Sequence, residues 1–288
     1  MERGQGGSER PREVLARYGL DAKKSWGQNF LVDVGVHERI ARAAATGADD
    51  VVVEIGAGLG TLTTALLRVP QPSPRRIIAV ERDPDMLAVL RAELAQEPRI
   101  AIHAGDAVQF DFAAAAEEAG APVVVVGNLP YQITSALLFA IIDAGPAVAR
   151  AVVMVQREFA ERVVAPPGDK TYGRLSVMVQ QRMHVRRLFN VPPGAFFPRP
   201  RVVSSVLALG RREQPLALVR DEALFARVVR EAFGTRRKML RRSLGDAFGD
   251  ATAVAALAAA AVAGTRRPEE LSVAEFAGVA NALAGNAG

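Results

Sequence analysis

Val51-Val-Val-Glu-Ile-Gly-Ala-Gly-Leu-Gly60 is a β-branched apolar run that breaks into three alternate glycines, with helix-like periodicity from Thr61 onward. A short, continuously apolar run bounded by glycine reads as a strand buried on both faces. Glycine at 56, 58 and 60 lets the chain turn sharply into the next helix and lets a ligand approach the main chain. The spacing is G-x-G-x-G and not the dinucleotide pattern G-x-G-x-x-G, so on its own the loop also reads as a plain strand-to-helix turn.

Working outward, the same alternation repeats. Helical periodicity over 36–45, 61–67, 84–95 and 134–144 interleaves with apolar strands at 51–55, 77–80, 100–104, 123–126 and 151–156. Buried strands alternating with helices predict a Rossmann-like, doubly wound, mostly parallel α/β sheet. Beyond Pro192 a Pro- and Arg-rich stretch leads into one more strand, 202–209. Helices at 224–233, 238–244, 251–263 and 273–283 follow, separated by Gly, Pro and polar breaks. The expected organisation is a flexible N-terminal lead at 1–22, a main domain at 23–212 and a small all-helical domain at 213–288.

In an open parallel sheet the ligand lies beyond the carboxyl ends of the strands, and each such end here carries a polar group. The second strand ends in Glu81, where a carboxylate can accept from both hydroxyls of a ribose. The third ends in Gly105-Asp106-Ala107, where Asp106 can accept from an exocyclic amine or, alternatively, cap a following helix. A glycine loop, a ribose acid and an amine-accepting acid, with no Lys-Ser/Thr phosphate loop, fit S-adenosyl-L-methionine better than NAD or ATP.

The fourth strand ends in Gly127-Asn128-Leu129-Pro130-Tyr131, the most specific element of the chain. The exocyclic amine of adenine is a poor nucleophile because its lone pair is delocalised into the ring. The Asn128 side-chain oxygen and the Leu129 or Pro130 carbonyl can accept both amine hydrogens and aim the nitrogen at a methyl sulfonium. Tyr131 offers a ring on which an extruded base can stack.

The chain has 288 residues, half of them hydrophobic and 23% charged, which is ordinary for a folded globular protein. It contains no cysteine, which excludes thiolate catalysis, disulfide frameworks and zinc fingers. Its three histidines, His37, His103 and His184, are scattered, so no metal is expected. The first residues lack an apolar signal core, and no run is long enough to span a bilayer, so a cytoplasmic protein without membrane attachment is expected. The net charge of +5 is concentrated: the 170–212 stretch has no Asp or Glu, and Glu231 is the single acid from Arg227 to Arg242. Such basic stretches are the electrostatic footprint of a nucleic-acid partner, or simply a solvated cationic face.

Several motifs together resemble the rRNA adenine N6,N6-dimethyltransferase family, most closely the bacterial KsgA type that modifies small-subunit 16S rRNA. They are Lys24-Ser-Trp-Gly-Gln-Asn-Phe-Leu31, Glu54 to Gly60, Gly105-Asp-Ala107, Asn128-Leu-Pro-Tyr131, Tyr172-Gly-Arg-Leu-Ser-Val177, the Phe196-x-Pro198-x-Pro200 stretch with Val202 and Ser204, and Arg236-Arg-Lys238. The resemblance covers nearly the whole chain and implies a class I methyltransferase. It implies that Gln28, Asn29 and Leu31 close over the methionine end of S-adenosyl-L-methionine, that Gly56 and Gly58 lie against it, and that Glu81 holds its ribose. Asp106 and Ala107 would hold its adenine, and Asn128 would straddle cofactor and target amine.

By the same resemblance the target is two adjacent adenines in a 3′-terminal hairpin of the small-subunit rRNA, each dimethylated. The base would stack between Tyr131 and Phe196, although Phe197 follows directly and Gln132 stands where the family often has Asn. Arg199, Arg201, Arg236, Arg237 and Lys238 would contact the RNA. The expected partner is the assembling 30S particle and the expected state a monomer. Alternatives are a large-subunit (23S) rRNA adenine methyltransferase of the macrolide-resistance type, a DNA adenine methyltransferase, and a nucleic-acid-binding assembly factor on the same fold.

Overall fold

The computed structural model describes residues 11–23, 28–44, 46–68, 72–234 and 238–285. The chain forms two compact units, Met1–Ala160 with Arg186–Arg211, and Glu161–Val185 with Arg212–Gly288.

The first unit is built on a mixed sheet. In chain order its elements are α1 (Pro11–Arg17), β1 (Phe30–Leu31), α2 (Val34–Ala44), β2 (Val51–Ile55), α3 (Thr61–Arg68), β3 (Arg76–Glu81), α4 (Pro84–Glu93), β4 (Ile100–Ala104), α5 (Phe112–Ala119), β5 (Val123–Asn128), α6 (Thr134–Asp143) and β6 (Val148–Gln156). α7 (Arg157–Val164) and α8 (Arg174–Arg182) follow, then β7 (Met183–Val191), β8 (Phe196–Phe197) and β9 (Ser204–Arg211). The seven-stranded order is β4-β3-β2-β5-β6-β9-β7, with β2 through β6 parallel and β9 antiparallel to β6. β1 and β8 form a separate antiparallel pair that sets Leu31 opposite Phe196 and Phe30 opposite Phe197.

Every residue of β2 is buried and β5 is buried as far as Gly127, which is why both read as uninterrupted Val/Ile runs. From β2 the chain crosses to β3 on one side, while β5 lies on the other. The reversal of winding therefore falls between β2 and β5, the place where such sheets open a crevice at their carboxyl edge. The two strands are in close contact there: a side chain on Gly127 would lie 2.6 Å from the Ile55 carbonyl oxygen.

The helices after β3 and β4 start where the sequence supplies a cap. Asp83 accepts from the Asp85 N–H at the head of α4, with Pro84 in the first helical position. Asp111 accepts from Ala114 N–H at the head of α5, which ends at Gly120 in the left-handed region. The lead is not flexible throughout: α1 buries Val14 and Leu15 against Leu59, Met86 and Val89.

The second unit is helical. It contains α8, α9 (Glu222–Gly234), α10 (Leu240–Phe248), α11 (Asp250–Ala259) and α12 (Val273–Gly285), closed around Phe225, Val229, Leu244, Leu257 and Phe276. Tyr172 and Val177 belong to the same core. That apolar contribution explains why 161–185 joins the helical unit, whereas the sequence reading placed all of 23–212 in the main domain. No helix among the described residues is long and apolar enough to cross a membrane.

Candidate active site

The carboxyl ends of four neighbouring parallel strands, with the segment ending at β1, line one partly open cleft. Its wall includes Gln28, Asn29, Leu31, Gly56, Gly58, Glu81, Asp106, Ala107 and the whole Asn128–Tyr131 loop. Twelve positions singled out from sequence are thus brought to one surface.

Gly56, Gly58 and Gly60 all adopt positive φ. At Gly58 that conformation has a purpose: its N–H donates to Glu81 Oε2 (2.9 Å), and a side chain there would press on the Phe30 ring at 3.3 Å. Arg82 and Asp83 N–H groups donate to Glu81 Oε1 at 2.8 and 2.9 Å. Three main-chain donors hold the carboxylate still and occupy three of its about four lone-pair sites, which leaves one, on Oε2, for a hydroxyl. Asp106 fulfils its capping alternative, accepting from Val108 N–H at 2.9 Å through Oδ1. Its Oδ2 lies 3.7 Å from Arg82 Nη1, and the side chain still lines the cleft.

The Asn128 loop is oriented by three contacts. Asn128 Nδ2 donates to the Asn29 carbonyl (3.1 Å), so Oδ1 is the end left to accept. Leu129 N–H donates to the Met154 carbonyl (3.0 Å), pinning the loop to β6. The Pro130 carbonyl is turned toward α6, where it accepts from Ile133 N–H (3.2 Å) and the Thr134 hydroxyl (3.0 Å). Of the two main-chain carbonyls considered from sequence, that of Pro130 is thus engaged within the loop and α6. Tyr131 hydrogen-bonds through its hydroxyl to Ser204 Oγ (2.7 Å), which fixes the ring, and burial pushes its phenol above the ordinary range.

Phe196 requires a correction. Its ring does not line the cleft; it is 4% exposed and packs with Leu31, Val36 and Val206 in the core beneath β1. Phe197, half-buried, is the partner that shares the cluster of α1. The alternation across β8 sends the two rings to opposite sides, and the apolar core claims Phe196. Phe196→Ala is expected to lower unfolding free energy by about 3–5 kcal/mol, clearly more than Phe197→Ala, in denaturant titrations. Equal losses would contradict the core assignment.

Two titratable residues of the cleft, Glu54 and His37, were given no role from sequence. Glu54, 1% exposed, is the one polar residue in β2, next to its last, and its Oε2 has no hydrogen-bond partner among the described residues. Burial, with Glu81 nearby, pushes its carboxyl up to about 8. His37, on the buried face of α2, is pushed down to about 4 by burial and is neutral at pH 7. A lone acid inside Val-Val-Val-Glu-Ile was the available signal for the first; nothing in the pattern marked the second.

These shifts have opposite signs in stability. Glu54 has a raised folded value, so its contribution is complete below 4.5 and is lost as pH rises toward about 8. His37 has a lowered folded value, so stability is lost as pH falls from 6.5 toward about 4. Above 6.5 only the first remains. The ligand-free protein is expected to lose stability from pH 6.5 to 8, and Glu54→Gln to flatten that slope; chemical denaturation across this window would refute the assignment if both proteins gave the same slope.

The basic positions lie elsewhere. Arg199 and Arg201 are exposed on the loop between β8 and β9. Lys238, in the second unit, pairs with Asp246 at 3.0 Å. Arg236 and Arg237 lie outside the described residues, as do Lys24 to Gly27.

The cleft lies at the switch point of a doubly wound sheet, with the Asn128–Tyr131 loop in its wall. By fold and site the chain is a class I methyltransferase. The family described as ribosomal RNA adenine dimethylase matches residues 19–285, and the chain belongs to that family. The ribosomal RNA small subunit methyltransferase A of Anaeromyxobacter dehalogenans is 48% identical over 283 residues, 95% of this chain and 97% of the relative. The protein of the same name from Pseudomonas aeruginosa is 43% identical over 263 residues, 91% and 95% of the two chains. Among solved structures, a dimethyladenosine transferase from Plasmodium falciparum superposes with a TM-score of 0.72 at 26% identity, covering 87% of this chain and 95% of that one. The 23S rRNA methyltransferase ErmE gives 0.66 at 27% identity, covering 89% and 100%.

Proposed function

We propose that this enzyme transfers methyl groups from S-adenosyl-L-methionine to N6 of two adjacent adenines near the 3′ end of small-subunit rRNA, giving N6,N6-dimethyladenosine. The observation that carries the reading is the orientation of the Asn128 loop in the cleft wall: Nδ2 is engaged by the Asn29 carbonyl and the Pro130 carbonyl by Thr134, so we assign Asn128 Oδ1 and the Leu129 carbonyl as the amine acceptors. The small-subunit target is favoured over the 23S alternative because relatives at 43–48% identity carry the small-subunit name, against 27% for ErmE.

The cleft residues fit the methyl donor. The orphaned Glu54 oxygen is a natural place for an ammonium, Glu81 for a ribose hydroxyl, Asp106 for the adenine amine, and Gly56 and Gly58 leave the main chain open to close approach. The donor supplies an electrophilic methyl on a sulfonium. Asn128 and Leu129 accept the two hydrogens of the target amine and hold its nitrogen with the lone pair turned out of the ring plane. Tyr131, anchored on Ser204, offers its face to the base. After attack the nitrogen is cationic and acidic, so its proton leaves to water without a dedicated base. Arg199, Arg201 and the Arg236 to Lys238 run are assigned to RNA phosphates, an attraction that weakens with salt. The enzyme is placed in the cytoplasm as a monomer acting on rRNA or the assembling 30S particle.

The test is labelled-methyl transfer to unmethylated small subunits, unmethylated large-subunit rRNA and duplex DNA in parallel, read by nucleoside mass spectrometry. Dimethyladenosine confined to the small subunit is expected. Label in 23S rRNA or DNA would overturn the target, and no transfer despite cofactor binding would leave a binding factor.

A further inference from the structure

We propose that Asp83 is a positioning residue for the cofactor, a buried latch that ties Lys23 and Gln28 to the cleft wall and holds the Glu81 carboxylate in place beside them. Asp83 is fully buried and does not line the cleft. Its Oδ1 accepts from Lys23 Nζ at 2.6 Å and from Asp85 N–H at 3.0 Å, and its Oδ2 accepts from Gln28 Nε2 at 2.7 Å. Its own N–H donates to Glu81 Oε1 at 2.9 Å. Gln28 also accepts the Lys23 N–H at 2.9 Å, and it precedes Asn29, whose carbonyl takes the Asn128 amide at 3.1 Å. One carboxylate therefore joins the ribose acid on one wall of the cleft to the segment that closes the other.

A carboxylate with no exposure persists only where opposite charge and hydrogen bonds replace water. The Lys23 ammonium, the Gln28 amide and the head of α4 share that task. Capping α4 needs only the Asp85 N–H. The bonds to Lys23 and Gln28 are extra to it, and they end on a segment whose next residues, Gln28 and Asn29, line the cleft. Lys23 Nζ also pairs with Asp85 Oδ2 at 2.6 Å, and the bonds to Asp83 and then Asp85 raise the Lys23 pKa, so this ammonium stays charged at any working pH.

This inference rests on the reading that the cleft takes S-adenosyl-L-methionine. In the full chain, Asp83→Asn keeps an oxygen able to cap the helix but removes the charge, while Lys23→Met removes the ammonium from the solvent side. Each is expected to raise the cofactor Kd and KM by about tenfold or more, since hydrogen bonds to charged groups carry that much. The kcat at saturating cofactor should stay within about threefold, and the double variant should be no weaker than the worse single one, because both break one latch. A lower Tm for Asp83→Asn with an unchanged Kd for Lys23→Met would reduce Asp83 to a helix cap and overturn the proposal. Should Asp83→Asn fail to fold, Lys23→Met decides alone, because its side chain is partly exposed and its removal leaves no buried cavity. If the unmodified protein shows no S-adenosyl-L-methionine binding by calorimetry, the cofactor assignment itself fails and the latch with it.

Discussion

Asn128→Ala is expected to cut turnover about a thousandfold, the upper range for removing one preorganised polar group from a reacting centre, while the cofactor Kd changes less than about fivefold, or 1 kcal/mol. The reasoning is geometric. Of the two acceptors at the cleft mouth, the Leu129 carbonyl is main chain and survives the substitution; the Asn128 oxygen does not. With a single acceptor the amine is free to relax back into the plane of its ring, where its lone pair is unreactive. The substitution also removes the donor to the Asn29 carbonyl, which is why a small change in cofactor affinity is expected. Single-turnover transfer together with calorimetry measures both quantities, and near-normal turnover would refute the amine-holding role.

Glu81→Ala is expected to produce the opposite split. The carboxylate collects N–H groups from Gly58, Arg82 and Asp83 before any ligand arrives. Its loss removes the ribose acceptor and the tie to Gly58, while Gly56 and Ala57 N–H still donate to the Val80 carbonyl of β3 at 2.9 and 3.2 Å. One charge-assisted hydrogen bond, at about 1.5–3 kcal/mol, corresponds to a rise in cofactor Kd of at least about tenfold. At saturating cofactor the target amine is still held by Asn128 and Leu129, so kcat should fall far less than in the Asn128 variant. A Kd within a few fold of the unmodified protein would show that the ribose is held elsewhere.

The strands that carry the site were legible because burial on both faces leaves no choice but Val and Ile, as in β2 and β5. The residues at their ends were legible for a related reason: a polar group directly after such a run has to sit at the sheet edge. β7 was not, because an edge strand alternates exposed Arg186 and Arg187 with half-buried Leu188 and Phe189 and so carries no apolar run. α7 and α8 were hidden by short, charged sequences whose apolar positions become meaningful only when Tyr172 and Val177 meet the tail helices. Within the site, what escaped was what depends on contacts distant in sequence. The burial of Phe196 follows from its register with Leu31, and the role of Asp83 follows from Lys23 and Gln28, about sixty residues away.

The reversal of winding between β2 and β5 also partitions the labour of the enzyme. Strands β2 to β4, on one side, present the groups assigned to the methyl donor; β5, β6 and β9, on the other, present or brace those assigned to the acceptor, including Ser204 behind Tyr131. Substitutions on the two sides share few neighbours, so their energetic effects should add. The acceptor half can thus drift toward a new base or RNA context while the donor half stays intact, which is a physical route by which one scaffold comes to serve different rRNA targets. Asn128, bonded to the carbonyl of Asn29 across the cleft, is the point at which that independence stops.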